Sequence, residues 1–175
     1  SNNIDNISGN IKAANNIELN AQNNINLETM QYQKTYNYGS GYQTVTNKGQ
    51  TSTVQAGGNI NATAGNSIVL TGGNINANND ITLKAKNDVA INSLEMNSDY
   101  NFNLNNGYNK GQTIKNLGST INANNISVDA NTLNIKSSNL NAKENIGLNA
   151  VENVNILATN DLTYQDTQTS SKGFL

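Results

Sequence analysis

A short motif of alternating residues constrains the fold of this chain more than any other feature. It reads Asn or Asp, apolar, polar, apolar, as in Asn16–Ala21 and Asn24–Leu27, and it recurs along most of the sequence. Alternation with a period of two places both apolar side chains on one face of a short β-strand. A helix is disfavoured, because the apolar residues lack i, i+3, i+4 spacing and because Asn and Gly form helices weakly. The motif therefore predicts many short strands, each with one apolar face.

These strands recur at a spacing that fits coils of about 20 residues. At this spacing Ile60 is followed by Ile81, and Ile126 is followed by Ile146. A single short strand cannot bury its apolar face, but stacked coils place equivalent residues about 4.8 Å apart and cover one another. Asn, which supplies 40 of the 175 residues, suits such coils because it tolerates tight corners and because stacked side-chain amides can hydrogen-bond in ladders.

A longer period of about 64 residues organises the coils. One apolar set occurs three times, as Ile17/Leu19/Ala21, Ile81/Leu83/Ala85 and Ile146/Leu148/Ala150. We interpret residues 1–175 as a single β-solenoid segment of a larger protein, with repeat units of approximately 10–73, 74–138 and 139–175, the last one partial. The predicted fold is all-β, a right-handed parallel β-helix with β-hairpin excursions.

The excursions are predicted where the coil pattern lapses, at approximately 30–54 and 96–117. Nearly every aromatic residue of the chain lies in these two segments, and the two that remain, Tyr164 and Phe174, follow the last coil. Gly39-Ser40-Gly41 and Asn105-Asn106-Gly107 supply turn residues between alternating arms, which is typical of β-hairpins.

Six aromatic residues of the hairpins form the candidate interaction surface of the sequence. Alternation within each arm predicts that large side chains share one face of a hairpin. Three interpretations stay open: the face packs against the solenoid wall, it meets a membrane interface or another chain as an aromatic-bearing hairpin would, or the hairpins are solvated spacers. The six residues are Tyr36, Tyr38, Tyr42, Tyr100, Phe102 and Tyr108.

Composition argues against catalysis and against several classes of ligand. The chain has no His, Cys or Arg, so most nucleophilic and general-base arrangements are excluded. Asp80 and Asp88 alternate with Asn at equivalent corners of the other repeats, which indicates turn formers, and Asp99 and Asp166 show no pairing pattern in the sequence. We expect no catalytic residue, no cofactor and no metal site. A net charge of −2 gives no reason to expect nucleic-acid binding.

The phased motifs resemble the haemagglutinin repeats of filamentous haemagglutinin-like exoproteins. The resemblance is carried by Ala56-Gly57-Gly58-Asn59-Ile60, by Asn79–Ala85 and by Asn87–Ile91, and it covers nearly the whole chain. Coils followed by a polar excursion look like the second repeat type of those proteins, although Asn here replaces most of the family's Gly and Asp.

The resemblance implies a secreted or surface-attached bacterial protein, exported through an outer-membrane two-partner-secretion transporter. It also implies a non-catalytic shaft in contact-dependent growth inhibition, with a role in moving a toxin across the target cell's outer membrane. The alternative is an adhesin segment that binds a receptor or cell surface through its Tyr-rich hairpins. A carbohydrate-active β-helix enzyme is a remote alternative, and end-to-end stacking of segments is a further expectation.

Overall fold

The protein is all-β in the computed structural model, which describes residues 1–171. No helix, and so no helix long and apolar enough to cross a membrane, occurs within this part of the chain. Phe174 lies outside the described residues. The strands, in chain order, are β1 (Ile4–Ile7), β2 (Asn10–Ala13), β3 (Ile17–Ala21), β4 (Ile25–Glu28), β5 (Gln31–Tyr38), β6 (Gly41–Lys48), β7 (Thr53–Ala56), β8 (Ile60–Ala64), β9 (Ile68–Thr71), β10 (Asn74–Ala77), β11 (Asp80–Ala85), β12 (Asp88–Asn92), β13 (Leu94–Leu104), β14 (Gly107–Leu117), β15 (Thr120–Lys136), β16 (Asn139–Leu157) and β17 (Leu162–Thr169).

The chain divides into two compact units. The first, which we call the coil unit, comprises residues 1–30, 49–94 and 117–159. The second, which we call the hairpin sheet, comprises residues 31–48, 95–116 and the described residues from 160 on. Each unit is built from three stretches of the chain, and the stretches of one unit alternate along the sequence with those of the other.

The coil unit is a parallel β-helix, as the sequence predicts. Three strands make each early coil (β2–β4, β7–β9 and β10–β12), whereas β15 and β16 each run through a whole coil as one continuous strand. Equivalent strands of successive coils pair in parallel, with Ile17 beside Ile60, Ile60 beside Ile81, and Ile126 beside Ile146. Residues that recur from coil to coil in the sequence are therefore the residues that stack in the structure.

Alternation along these strands builds the core. β3 and β8 bury every second residue, and the inward positions of successive coils carry Ile, Leu, Val and Ala in register. Full burial of one such aliphatic side chain contributes about 1.5–3 kcal/mol. The stacked amide ladder is also present: the Asn66 side chain donates to Asn24 Oδ1 at 2.7 Å and accepts from Asn87 Nδ2 at 2.6 Å.

The coil formed by β16 is less buried than the coils before it. Ile146 and Val154 occupy core positions and pair with Ile126 and Leu133, yet they are 45% and 44% exposed. Their equivalents in β11 and β12, Ile81 and Val89, are fully buried. The difference arises because β11 and β12 are covered by coils on both sides, whereas β16 pairs with β15 alone within the described chain.

The hairpin sheet is antiparallel and has five strands in the order β17-β14-β13-β6-β5. Two-residue turns join β5 to β6 and β13 to β14, at Gly39-Ser40 and Asn105-Asn106, so both predicted hairpins form. The two hairpins also pair with each other, because β6 runs beside β13, and β17 extends the sheet by pairing with β14. This lateral pairing positions the candidate surface.

Candidate interaction surface on the hairpin sheet

All six predicted surface residues lie on the hairpin sheet. Tyr36 and Tyr38 are on β5 and Tyr42 is on β6, while Tyr100 and Phe102 are on β13 and Tyr108 is on β14. The three from the first hairpin are more than one-third exposed, and the three from the second are half-buried.

Four of the six share one face, which we call the aromatic face. Residues directly opposite each other in an antiparallel sheet point to the same side. Gln43 lies opposite Tyr36 on one strand and Tyr100 on the other, and Gly41 likewise lies opposite Tyr38 and Phe102. The register thus gathers Tyr36, Tyr38, Tyr100 and Phe102 on one side of the sheet.

The aromatic rings of this face contact one another. The ring centroids of Tyr38 and Phe102 are 5.5 Å apart and those of Tyr100 and Phe102 are 6.1 Å apart, in tilted arrangements. Such pairs contribute about 0.5–1.5 kcal/mol beyond their buried area. They form beside a strand position that lacks a side chain, since Tyr38 and Phe102 flank Gly41.

A second glycine of the sheet is covered by a ring in the same way. The Tyr100 ring lies so close to Gly111 that a Cβ at that position would stand 2.6 Å from the ring. Gly111 is buried as a result, and it is the only buried residue among the described residues of the hairpin sheet. Aromatic rings that cover glycines in this manner help to fix the pairing of neighbouring strands.

The other two residues of the six lie on the opposite face, which we call the polar face. Tyr42 pairs with Asn101 and its hydroxyl donates to Asp99 Oδ2 at 3.1 Å. The Tyr108 hydroxyl donates to Asp166 Oδ2 at 3.0 Å. The structure therefore brings four of the predicted residues together and separates them from Tyr42 and Tyr108 by the thickness of the sheet.

The two Tyr–Asp hydrogen bonds occupy equivalent places in the two hairpins. Each tyrosine follows the glycine that begins the second strand of its hairpin, and each aspartate lies on the neighbouring strand that comes later in the chain, β13 or β17. In the sequence Asp99 and Asp166 have no evident partner. The repeated Gly-Tyr dipeptides at 41–42 and 107–108 are the signal that could have identified these bonds.

The electrostatics of the polar face come from these pairs and from Lys110. The hydrogen bond to Asp99, helped by the charge of that carboxylate, raises the pKa of Tyr42 above its usual value, and the hydrogen bond to Asp166 raises the pKa of Tyr108. Lys110 Nζ is 3.5 Å from Asp166 Oδ2 and 4.9 Å from the centre of the Tyr108 ring. Within the described chain, no group of three or more acidic, His or Cys side chains could hold a metal ion.

Comparison with known proteins identifies the family. No curated protein and no solved structure matches this chain. The hemagglutinin repeat matches it twice, at residues 35–117 and 100–174, so that the two matches together span more than half of the chain. Proteins with this repeat are generally secreted or held at the cell surface, and the repeat is a structural element of a large protein rather than a known enzyme. The chain belongs to the hemagglutinin repeat family.

Proposed function

We propose that this chain is a non-catalytic shaft segment of an exoprotein that acts in contact-dependent growth inhibition and helps a toxin to cross the target cell's outer membrane. The observation that carries the proposal is the in-register stacking of its coils, in which Ile17, Ile60 and Ile81 follow one another in a single column. A solenoid of this kind lengthens by repetition, since each coil contacts only its neighbours.

The hairpins support the same role. The second strand of each hairpin pairs with a strand that lies farther along the chain, β6 with β13 and β14 with β17. Repeats are therefore joined twice, once through the coils and once through the antiparallel strands. Two connections per repeat would make the shaft stiff, so that it could hold a cargo at a fixed distance.

The chain contains few residues that could support catalysis. His, Cys and Arg are missing from the sequence, and the carboxylates of Asp99 and Asp166 accept hydrogen bonds from tyrosines at equivalent positions of the repeat. Carboxylates that recur with the repeat and hold two strands together are structural groups.

Deletion of one repeat unit from the secreted parent protein tests the proposal. Removal of residues 74–138 joins Gly73 to Asn139, which is equivalent to Asn74, and keeps the register of the coils. We expect the shortened protein to be exported by its outer-membrane transporter and to attach to target cells, while toxin entry decreases. The matched control deletes 74–127, which breaks the coil register, and is expected to impair export and folding. Unchanged toxin entry after the in-register deletion would contradict the translocation role.

A second candidate function is adhesion through the aromatic face. It is favoured by the exposure of Tyr36 and Tyr38, which are 40% and 51% exposed although they are large aromatic residues. Exposed aromatic clusters commonly mark interaction surfaces. Replacement of Tyr36, Tyr38, Tyr100 and Phe102 by Ser would then abolish attachment of the protein to cells or to lipid vesicles, whereas Ser at Thr35, Asn37, Thr44 and Gln168 on the polar face would leave attachment intact.

A further inference from the structure

The polar face of the hairpin sheet contains an open groove, and the residues that line it come from all five strands. Its volume is about 470 Å³, within the range of about 300–1,000 Å³ that is typical of small-molecule sites. From β6 to β17 it crosses three strand spacings, about 14 Å in all. The residues that line it include Gln33, Tyr42, Asn97, Asn101, Gln112 and Tyr164.

Two tyrosines on strands that are three spacings apart line the groove. Tyr42 on β6 is 37% exposed, and Tyr164 on β17, opposite Gln112, is 48% exposed. The Tyr42 hydroxyl donates a hydrogen bond to Asp99, which favours one orientation of that ring. An aromatic ring offers a flat apolar surface together with a polar edge, and the aliphatic C–H face of a pyranose packs on such a surface.

Amide side chains in the middle of the groove retain hydrogen-bond donors and acceptors that a ligand could use. Gln112 Nε2 donates to Asn97 Oδ1 at 2.9 Å, which leaves the Asn97 amide protons and the Gln112 carbonyl oxygen available to a ligand. The Asn101 side chain is exposed, and none of the described residues forms a hydrogen bond with it. The middle of the groove therefore offers both donors and acceptors, which the hydroxyl groups of a sugar require.

The charges of the groove favour a neutral ligand. Asp99 and Lys110 line it and oppose each other in sign, while Asp166 takes up part of the Lys110 charge at 3.5 Å. An anionic ligand would meet the Asp99 carboxylate, and a cationic ligand would meet the Lys110 ammonium group. A peptide is also disfavoured, because an extended chain binds to the edge of a sheet rather than across its face.

We infer that the groove between Tyr42 and Tyr164 binds a neutral oligosaccharide of about three sugar units, with the tyrosine rings packing on the sugar faces and with Asn97, Asn101 and Gln112 bonding the hydroxyls. These side chains lie on the opposite side of the sheet from the aromatic face. The inference does not depend on the shaft function, which uses none of these side chains, and it concerns a different face from the adhesion proposed for the aromatic face.

Titration of the purified chain with neutral oligosaccharides, followed by NMR, tests the inference. The probes are cellohexaose, maltohexaose, mannohexaose and chitohexaose. We expect at least one of them to shift the backbone resonances of β13, β14 and β17 around the groove. The variants Tyr164→Ala and Asn101→Ala, which alter exposed side chains, each weaken binding roughly tenfold or more, and circular dichroism checks that both remain folded.

The matched control is Tyr36→Ala, which removes an exposed ring from the other face and leaves the affinity unchanged. Three outcomes would overturn the inference: no shift with any of the four neutral probes at millimolar concentration, equal loss of binding in the Tyr36→Ala variant, or binding of an acidic oligosaccharide such as a heparin hexasaccharide in place of the neutral ones. Loss of binding in Tyr164→Ala and Asn101→Ala alone supports it.

Discussion

Along most strands of the coil unit, side chains point alternately into a buried core and towards solvent. In the hairpin sheet, the side chains on both faces are exposed or half-buried. In the coil unit, Ile25, Ile68 and Val89 stack in one column and are fully inaccessible. In the hairpin sheet, Gly111 alone is buried among the described residues. The same long repeat thus produces one sheet that is stabilised by its core and another that is stabilised by backbone pairing, ring contacts and side-chain hydrogen bonds.

The comparison shows how a polar sequence can specify two kinds of sheet. Similar aliphatic residues at equivalent positions form the core of the coils, because stacking buries them. The hairpins depend on particular residues at particular cross-strand positions, such as Gly41 between Tyr38 and Phe102. Substitutions in the coils should therefore destabilise the protein in proportion to the burial of the side chain. Substitutions in the hairpin sheet should destabilise it most where two strands approach closely.

The largest effect is expected from a cavity in the coil core. Ile81→Ala removes a fully buried side chain and should lower the free energy of unfolding by about 2–5 kcal/mol. The matched control is Ile146→Ala, in the same column but 45% exposed, which should cost about 1 kcal/mol. Urea denaturation followed by circular dichroism measures both. Equal losses would mean that burial does not govern the stability of the coils.

A smaller effect is expected where the two hairpins meet. A Cβ at Gly41 would collide with the backbone oxygen of Asn101 and stand 2.7 Å from Phe102 Cα. Gly41→Ala should therefore force β6 and β13 apart and destabilise their pairing by roughly 1–3 kcal/mol. The expected result is faster amide hydrogen exchange in β6 and β13, with exchange in the coil unit unchanged.

Gly39 supplies the control for this variant. A Cβ at Gly39 would meet no atom within 4 Å, so Gly39→Ala should leave exchange in both strands as it is in the native chain. If Gly41→Ala behaved like Gly39→Ala, close approach of the strands would not be what holds the hairpins together.

The amide ladder should contribute less than either. Asn66 forms side-chain hydrogen bonds with both Asn24 and Asn87, and Asn66→Ala should destabilise the coil unit by about 0.5–1.5 kcal/mol. Asn20→Ala is the control, since Asn20 is exposed and no described residue bonds its side chain. Thermal denaturation distinguishes the two. If the side-chain hydrogen bonds of Asn66 did not stabilise the coils, the two variants would have the same melting temperature.

The coils could be predicted from the sequence because their determinants are local and repeated. Ile17, Ile81 and Ile146 occur at intervals of one repeat, and a structure that buries the apolar faces of all three strands must stack them. The hairpins could be predicted as well, because turn residues between alternating arms indicate them without reference to the rest of the chain.

The arrangement of the hairpins could not be derived in the same way. Pairing of β6 with β13 joins segments that are distant in the chain through backbone groups and half-exposed side chains, and no apolar pattern specifies its register. The gathering of Tyr36 and Tyr38 with Tyr100 and Phe102 on one face depends on that register. The opposite orientation of Tyr42 follows instead from the two-residue turn of its own hairpin, which places Tyr42 opposite Asn37. The positions of the turn residues could therefore have separated Tyr42 from Tyr36 in the sequence.

The smallest effect is expected from the Tyr–Asp hydrogen bonds, at alkaline pH. The hydrogen bond to Asp99 raises the pKa of Tyr42, and that to Asp166 raises the pKa of Tyr108, so both tyrosines hold their protons more tightly in the folded sheet than in the unfolded chain. Their contribution to stability is present below the ordinary tyrosine pKa of about 10 and is lost as the pH rises through the higher folded value. Asp99→Ala should lower the pKa of Tyr42, as measured by tyrosinate absorbance, whereas Asp129→Ala in the coil unit should not change it. A Tyr42 pKa that does not respond to Asp99→Ala would show that the bond does not form in solution, and the pairing of β6 with β13 would then rest on Gly41 and the rings alone.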